Sequence, residues 1–274
     1  ADAGRVHERG GDGKQPLHFA TTPQIVDYLV EHGADVHARC VDHYSTPVMY
    51  ASRHRPDVAR RLLEHGATPD VFLAVAMDDA DLLNRLLDEK PDRANARLNE
   101  GELATPNDEW LTYTWAFDLG SGDQPPTPLH AAAAINHVEA ARILLDRGAT
   151  IDVRGSYDDA LPIHFAAWHG HVEIGRLLIE RGANIESPSG RLHQQQPTGW
   201  AIVAGRLEMT RTLLAAGATL HDHYVSEARL GRDGKLKAIA CAERDQYEAI
   251  ERLLFDTAEK RGFALDPETG KVKR

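Results

Sequence analysis

The chain has 274 residues, with 31 Lys+Arg against 42 Asp+Glu, a net charge of −11 and only 6% aromatic residues. That balance argues against a sequence-independent nucleic-acid binder, which needs Lys and Arg to displace counterions from phosphates. No run of about 18 apolar residues occurs, so no membrane-spanning helix is expected.

Residues 1–13 are charged and glycine-rich (GRVHERGGDG) and read as a frayed N-terminal segment. From Gln15 a two-helix pattern begins: QPLHFA, then TTPQIVDYLVEHGADV, with Thr22-Pro23 shortening the turn between the helices. A second copy starts at Thr46 (TPVMYASRHRPDVARRLLEHGATPD), with Met49 at the place of His18. The next copy follows almost at once, so the extended finger between these two is absent. That third copy is degenerate; Ala74, Leu82, Leu83, Leu86 and Leu87 keep the helix pair, and Lys90-Pro91 replaces the closing Gly-Ala.

Residues 98–126 break the pattern. Their centre, LTYTWAF, alternates with strand periodicity and high β-propensity, between turn residues. It reads as an elongated, β-like finger. Thr127 opens a complete fourth copy (TPLHAAAAINHVEAARILLDRGATI), and LPIHFAAWHGHVEIGRLLIERGANI from Leu161 is the fifth. In the fifth, Pro162 suits a first helical turn, Gly170 and Gly182 suit left-handed caps, and Val172, Ile174, Leu177 and Leu178 make an apolar stripe. The sixth copy runs from Gln196 (QPTGWAIVAGRLEMTRTLLAAGATL), with Gly199 in the His place. His221 to Gly234 reads as a longer, glycine-broken connection. A final helix pair is expected after Lys235, with Ile239, Ala242, Ile250, Leu253 and Leu254 inward, and a loose tail from Arg261.

Such short helices fall below the roughly 12–15 residues needed for marginal stability alone, so the copies must stack. Their T-P-L-H-x-A signature and spacing resemble the ankyrin repeat. The resemblance covers about residues 14–258 and implies an all-α solenoid of six or seven helix-turn-helix repeats. The units are placed at about 15–41, 46–68, 69–97, 127–155, 161–190, 196–222 and 235–260, in one domain of 14–260, with the inserted finger at 98–126 and a tail at 261–274. Cys40 and Cys241 would then lie tens of Å apart and stay free thiols, which fits a reducing compartment, the cytoplasm. No signal peptide is visible, although the chain begins at Ala1 rather than Met.

The resemblance further implies protein recognition: a scaffold, adaptor or inhibitor, monomeric by itself, that holds another protein in its concave groove and finger tips. A basic partner surface is compatible with the charge. The alternative is a regulatory or substrate-recruiting segment of a larger enzyme. No catalytic signature such as GxGxxG, a P-loop, GxSxG, HExxH or CxxC occurs, so no enzyme activity and no cofactor are expected. The recurring His18, His130 and His164 read as structural, bonding between repeats. His221-Asp222-His223 lacks a third ligand at metal spacing, so no metal is expected.

Partner-binding positions follow from the family's exposed helix ends and tips. They are Tyr44, Arg53, His54, Met77, Ile135, Tyr157, Trp168, His169 and Val203, with Ala76, Ala134 and Ala204 beside them. Trp110, Tyr113 and Trp115 of the insertion are added, because aromatic residues are favoured interface anchors. Folding of that finger back onto the imperfect third repeat is an equal alternative.

Overall fold

The computed structural model describes residues 3–41, 43–104, 124–155, 157–190, 195–235, 243–271 and 273. The chain divides into two compact units, Ala1–Thr150 and Ile151–Arg274. Both are built from helix pairs, and the described residues contain no strand beyond an isolated bridge between Gly155 and Ala160. None of the described helices is long and apolar enough to cross a membrane.

In the first unit the pairs are a 3-10 turn Pro16–Phe19 with α1 (Pro23–Glu31), α2 (Pro47–Ala51) with α3 (Pro56–Glu64), α4 (Val71–Ala76) with α5 (Ala80–Glu89), and α6 (Pro128–Ile135) with α7 (Val138–Asp146). In the second they are α8 (Pro162–His169) with α9 (Val172–Glu180), α10 (Pro197–Val203) with α11 (Leu207–Ala215), and α12 (Tyr224–Arg232) with α13 (Arg244–Lys260). Within each unit, first helices pack on first helices and second on second, as α4 on α6, α5 on α7, α8 on α10 and α9 on α11.

Burial explains the two helix types. Every residue of α4 and α6 is buried, because a first helix is packed on several sides. Second helices bury one stripe only, such as Leu82, Leu83, Leu86 and Leu87 on α5 or Ile174, Leu177 and Leu178 on α9. Each such leucine contributes roughly 1.5–3 kcal/mol by leaving water. Proline at the first helical position starts most of the first helices, where a missing N–H costs nothing.

The second helices of pairs four and five end in Schellman caps. Gly148 (φ 87°) and Gly182 (φ 88°) take the left-handed conformation. The following Ala149 and Ala183 N–H groups then reach back to Leu144 and Leu178 carbonyls, each at 2.9 Å. In the third pair Lys90 is extended (φ −151°), since a residue before proline avoids the helical region, and Pro91–Asn95 forms a 3-10 turn. In the first pair Pro23 has the same effect: it cuts the first helix to one 3-10 turn, and Thr22 caps α1 by accepting from Ile25 N–H at 3.3 Å.

Two kinds of polar contact bind successive pairs. The signature histidines use both ring nitrogens. Nδ1 of His18, His130 and His164 accepts the N–H three residues upstream, at 3.2, 3.2 and 3.1 Å. That fixes the proton on Nε2, which donates across to Ser45 O (3.1 Å) from His18 and to Gln195 O (3.2 Å) from His164. Burial holds the His18 pKa below its ordinary value, so the ring stays neutral.

The second contact comes from the residue just before a second helix. Arg55 donates to the His18 carbonyl at 3.1 Å and also to that of Ala20; His137 Nδ1 donates to Val75 O at 2.6 Å; Arg206 Nε donates to Trp168 O at 3.0 Å. Each satisfies a carbonyl at the end of the preceding first helix, which has no partner inside its own helix.

Three expectations need correction. The stretch 221–234 that reads as a connection holds a helix, α12, which packs on α13; residues 236–242, with Ile239, Cys241 and Ala242, lie outside the described residues. The tail is docked. Arg261 donates to Leu214 O and Ala218 O, both at 2.7 Å, Arg229 donates to Pro267 O and Glu268 O, and Leu265 is buried. The N-terminal segment is docked as well: Val6 is buried, Arg9 donates to Arg39 O at 3.0 Å, and Val41 N–H donates to Asp12 O at 3.0 Å. The ends of the insertion meet, Leu98 N–H donating to Pro126 O at 3.0 Å. Its centre, residues 105–123 with Trp110, Tyr113 and Trp115, lies outside the described residues.

Candidate binding surfaces

The turn that ends α8 carries Trp168 and His169, both half-buried. Trp168 stands edge-on to Trp200 of α10, with ring centres 5.6 Å apart. Trp200 also meets His164 at 5.3 Å and Phe165 at 6.1 Å, and its indole N–H donates to Ser189 Oγ at 3.3 Å. With 6% exposure, Trp200 is the floor on which Trp168 is held. Edge-to-face pairs of this kind add about 0.5–1.5 kcal/mol each beyond area burial.

A hollow of about 360 Å³ is lined by His169, the residue after Trp168, with Arg206, Glu208 and Glu243 among others. The His169 ring stacks on His171, 5.5 Å between centres.

Trp200 is the residue that sequence reasoning passed over. The signal was present: an aromatic residue directly precedes the buried alanine of several first helices, as in Phe19-Ala20, Tyr50-Ala51, Phe165-Ala166 and Trp200-Ala201. These rings pair across repeats, Phe19 with Tyr50 at 6.0 Å and Phe165 with Trp200 at 6.1 Å, all edge-on. Phe19 keeps 52% of its surface exposed, while Phe165 keeps 2%.

The same position in α12 holds Glu227, directly before buried Ala228. Its side chain keeps 14% exposure, Gln195 Nε2 donates to its Oε1, and His223 Nε2 lies 4.0 Å away. Its Oε2 is buried without a hydrogen-bond partner. Burial pushes the carboxyl up to about 7, against a smaller downward pull from the Gln195 amide. Burial and neighbouring His221 hold His223 below its ordinary value. The rings of His221 and His223 lie 5.6 Å apart, both edge-on to Tyr224. Among the described residues no group of three His, Cys, Asp or Glu side chains is placed to hold a metal ion.

The other expected positions scatter. His54 is exposed and Arg53 half-buried. Tyr44 (φ 54°) is tied into the first finger: its carbonyl accepts from Arg39 at 2.8 Å, and the Arg39 guanidinium lies over its ring at 4.5 Å. Val203 is half-buried, and its carbonyl accepts from Tyr247 Oη at 2.9 Å. Met77 (6% exposed) and Ile135 (8%) are buried, as are Ala76, Ala134 and Ala204, so these helix ends do not present a free surface. α4 and α6 pack on each other, a contact that register alone does not reveal. Tyr157 lies in a 3-10 turn, Tyr157–Asp159.

The first unit holds a larger cavity, about 750 Å³, between the first finger (His37, Arg39) and the segment after α5 (Lys90 to Ala104), with Thr68 and Asp70 at its base.

A family model for ankyrin repeats (3 copies) matches residues 1–72 and 71–189. The chain belongs to the ankyrin-repeat family. Ankyrin repeats are generally protein-interaction modules, and their domains are typically non-catalytic. No curated protein sequence matches the chain. Among solved structures it is similar to the human ASB11 ankyrin repeat domain, at 21% identity and a TM-score of 0.48, over 76% of this chain and 86% of that one.

Proposed function

We propose that this ankyrin-repeat protein is a recognition scaffold, an adaptor or inhibitor that captures another protein and acts by holding it. The observation that carries the reading is Trp168: a half-buried indole, fixed edge-on by Trp200, whose chain neighbour His169 lines a hollow with Glu208 and Glu243. An aromatic anchor already locked in place loses little side-chain entropy on binding. Glu208 and Glu243, with the net charge of −11, favour a basic patch on the partner. Finger-tip residues widen the contact. The scaffold works as a monomer, and its location is the cytoplasm, a reducing compartment in which the buried free thiol of Cys40 stays reduced.

The test compares proteins captured from a native extract by the wild type, Trp168→Ala and His169→Ala, with thermal unfolding checked for each. A partner retained by the wild type and lost by Trp168→Ala, at an unchanged melting temperature, is the expected result. An identical set of partners for all three proteins refutes the assignment of this face.

A further inference from the structure

One contact recurs where successive fingers meet. The main-chain N–H of Thr150 donates to the Asn95 side chain at 2.7 Å, that of Asn184 to Asp152 at 3.0 Å, and that of Thr219 to Glu186 at 2.7 Å. The last two donors stand two residues after a left-handed glycine, Gly182 or Gly217, and their acceptors stand four residues after the preceding one, Gly148 or Gly182. Both of those acceptors are carboxylates.

At the first finger this contact is missing. Thr68, two residues after Gly66, is the equivalent donor, and no hydrogen bond from its N–H is found among the described residues. His37, four residues after Gly33, occupies the acceptor position without bonding to it. The connection is also short. The chain takes 14 or 15 residues from Gly33 to Pro47, from Gly148 to Pro162 and from Gly182 to Pro197, but 5 from Gly66 to Val71. Asp70, which would carry the next acceptor, instead caps α4 through Leu73 N–H at 2.9 Å.

The 750 Å³ cavity lies where the missing finger would run, with His37, Arg39 and Thr68 on its wall. Arg39 makes no ion pair among the described residues; its guanidinium meets only the carbonyl and ring of Tyr44. On the far side Glu102 is already held, by Lys90 at 2.9 Å and Arg93 at 3.2 Å. Thr68 and Arg39 thus line one slot, the first with an N–H that makes no hydrogen bond and the second with a guanidinium that makes no ion pair among the described residues.

We propose that this slot binds an extended acidic segment of a partner protein, which takes the place of the missing finger, its carboxylate receiving the Thr68 N–H and facing Arg39. The proposal rests on the recognition function above and adds a second contact surface with its own chemistry. A carboxylate is the group that performs this task at Asp152 and Glu186.

The probe is a fluorescein-labelled peptide with the sequence of this chain's own residues 149–160, ATIDVRGSYDDA, which carries the Asp152 carboxylate and has a net negative charge. It is titrated against the full chain by fluorescence anisotropy. Saturable binding is expected, weakened at least about tenfold by Arg39→Glu and by alanine in place of the peptide's Asp152 position. Arg39→Lys should keep part of the affinity. Copying residues 151–159 into the chain between Thr68 and Pro69 should abolish binding by filling the slot. Circular dichroism verifies that each variant is folded. No binding up to about 1 mM peptide, or equal binding by wild type and Arg39→Glu, overturns the proposal. So does a concentration-dependent dimer in sedimentation that the insertion abolishes, which would assign the slot to a second copy of the chain. Loss of partner capture in Trp168→Ala with no peptide binding would leave the recognition reading standing and remove only the slot.

Discussion

Replacing Glu227 by glutamine should stabilise the protein at neutral and alkaline pH and do almost nothing in acid. Glu227 stands where Phe165 and Trp200 stand in the two preceding first helices, with 14% of its side chain exposed and Oε2 without a partner. Burial raises its pKa from 4.5 to about 7. A raised carboxyl pKa means that the folded state binds the proton more tightly than the unfolded chain, so stability is lost as pH rises between the two values. The difference of about 2.5 units corresponds to a destabilisation of roughly 3 kcal/mol above pH 7, and close to none below pH 4.5. His223 does not offset this, because its own pKa is lowered and the ring is neutral where Glu227 ionises. Glutamine keeps an oxygen for the Gln195 amide and never ionises. Urea unfolding of both proteins at pH 5, 6, 7 and 8 should therefore give a stability difference that grows with pH by up to about 1.4 kcal/mol per unit and levels off above 7. A difference that is constant with pH, or a wild type more stable than the variant at pH 8, would refute the burial argument.

Asn136 ends α6 in the left-handed conformation (φ 62°), a place taken in the next two pairs by Gly170 and Gly205, and its Oδ1 is buried without a partner. Asn136→Gly should raise stability by about 0.5–1 kcal/mol, read as a higher urea midpoint at unchanged slope. His164→Ala removes one bond within its repeat and one to Gln195 O, and the loss should be about 2–4 kcal/mol in the same assay. Gly182→Ala places a Cβ on a φ of 88° with nothing within 4 Å, so its cost should be backbone strain alone, about 1–2 kcal/mol. A near-neutral result in a melt would show that the turn relaxes.

Much of the fold is legible because the ankyrin signature encodes backbone events. Proline at a first turn, alanine at a close helix contact and glycine at a positive φ each have a single physical reading, and units one, two, four, five and six follow from them. The final pair was not legible, because Gly231 reads as a break. It lies inside α12, and a Cβ there would meet the Tyr247 ring at 2.2 Å, so this glycine serves a close approach of α12 to α13 rather than a turn. Both chain ends read as loose because their order comes from main-chain hydrogen bonds and arginine-to-carbonyl bonds, which composition does not record. The exposure of the candidate positions was only partly legible. Register marks the ends of the first helices, but it does not tell which ends stay accessible: Trp168 and His169 are half-buried, whereas Met77 and Ile135 are buried.

The arginine and histidine bonds that precede the second helices have a consequence for how such a chain can change. Arg55, His137 and Arg206 all grip main-chain carbonyls, which every residue type supplies. A joint of this kind puts no demand on the side chains of the repeat it grips. His137 holds Val75 O although the third repeat has lost its proline, its signature histidine and its closing glycine. The Trp168–Trp200 joint is the opposite case, since only particular side chains can form it. Substitutions should therefore accumulate freely across the first kind of joint and in matched pairs across the second, so that a repeat can drift in sequence, or be replaced whole, without its successor losing its hold.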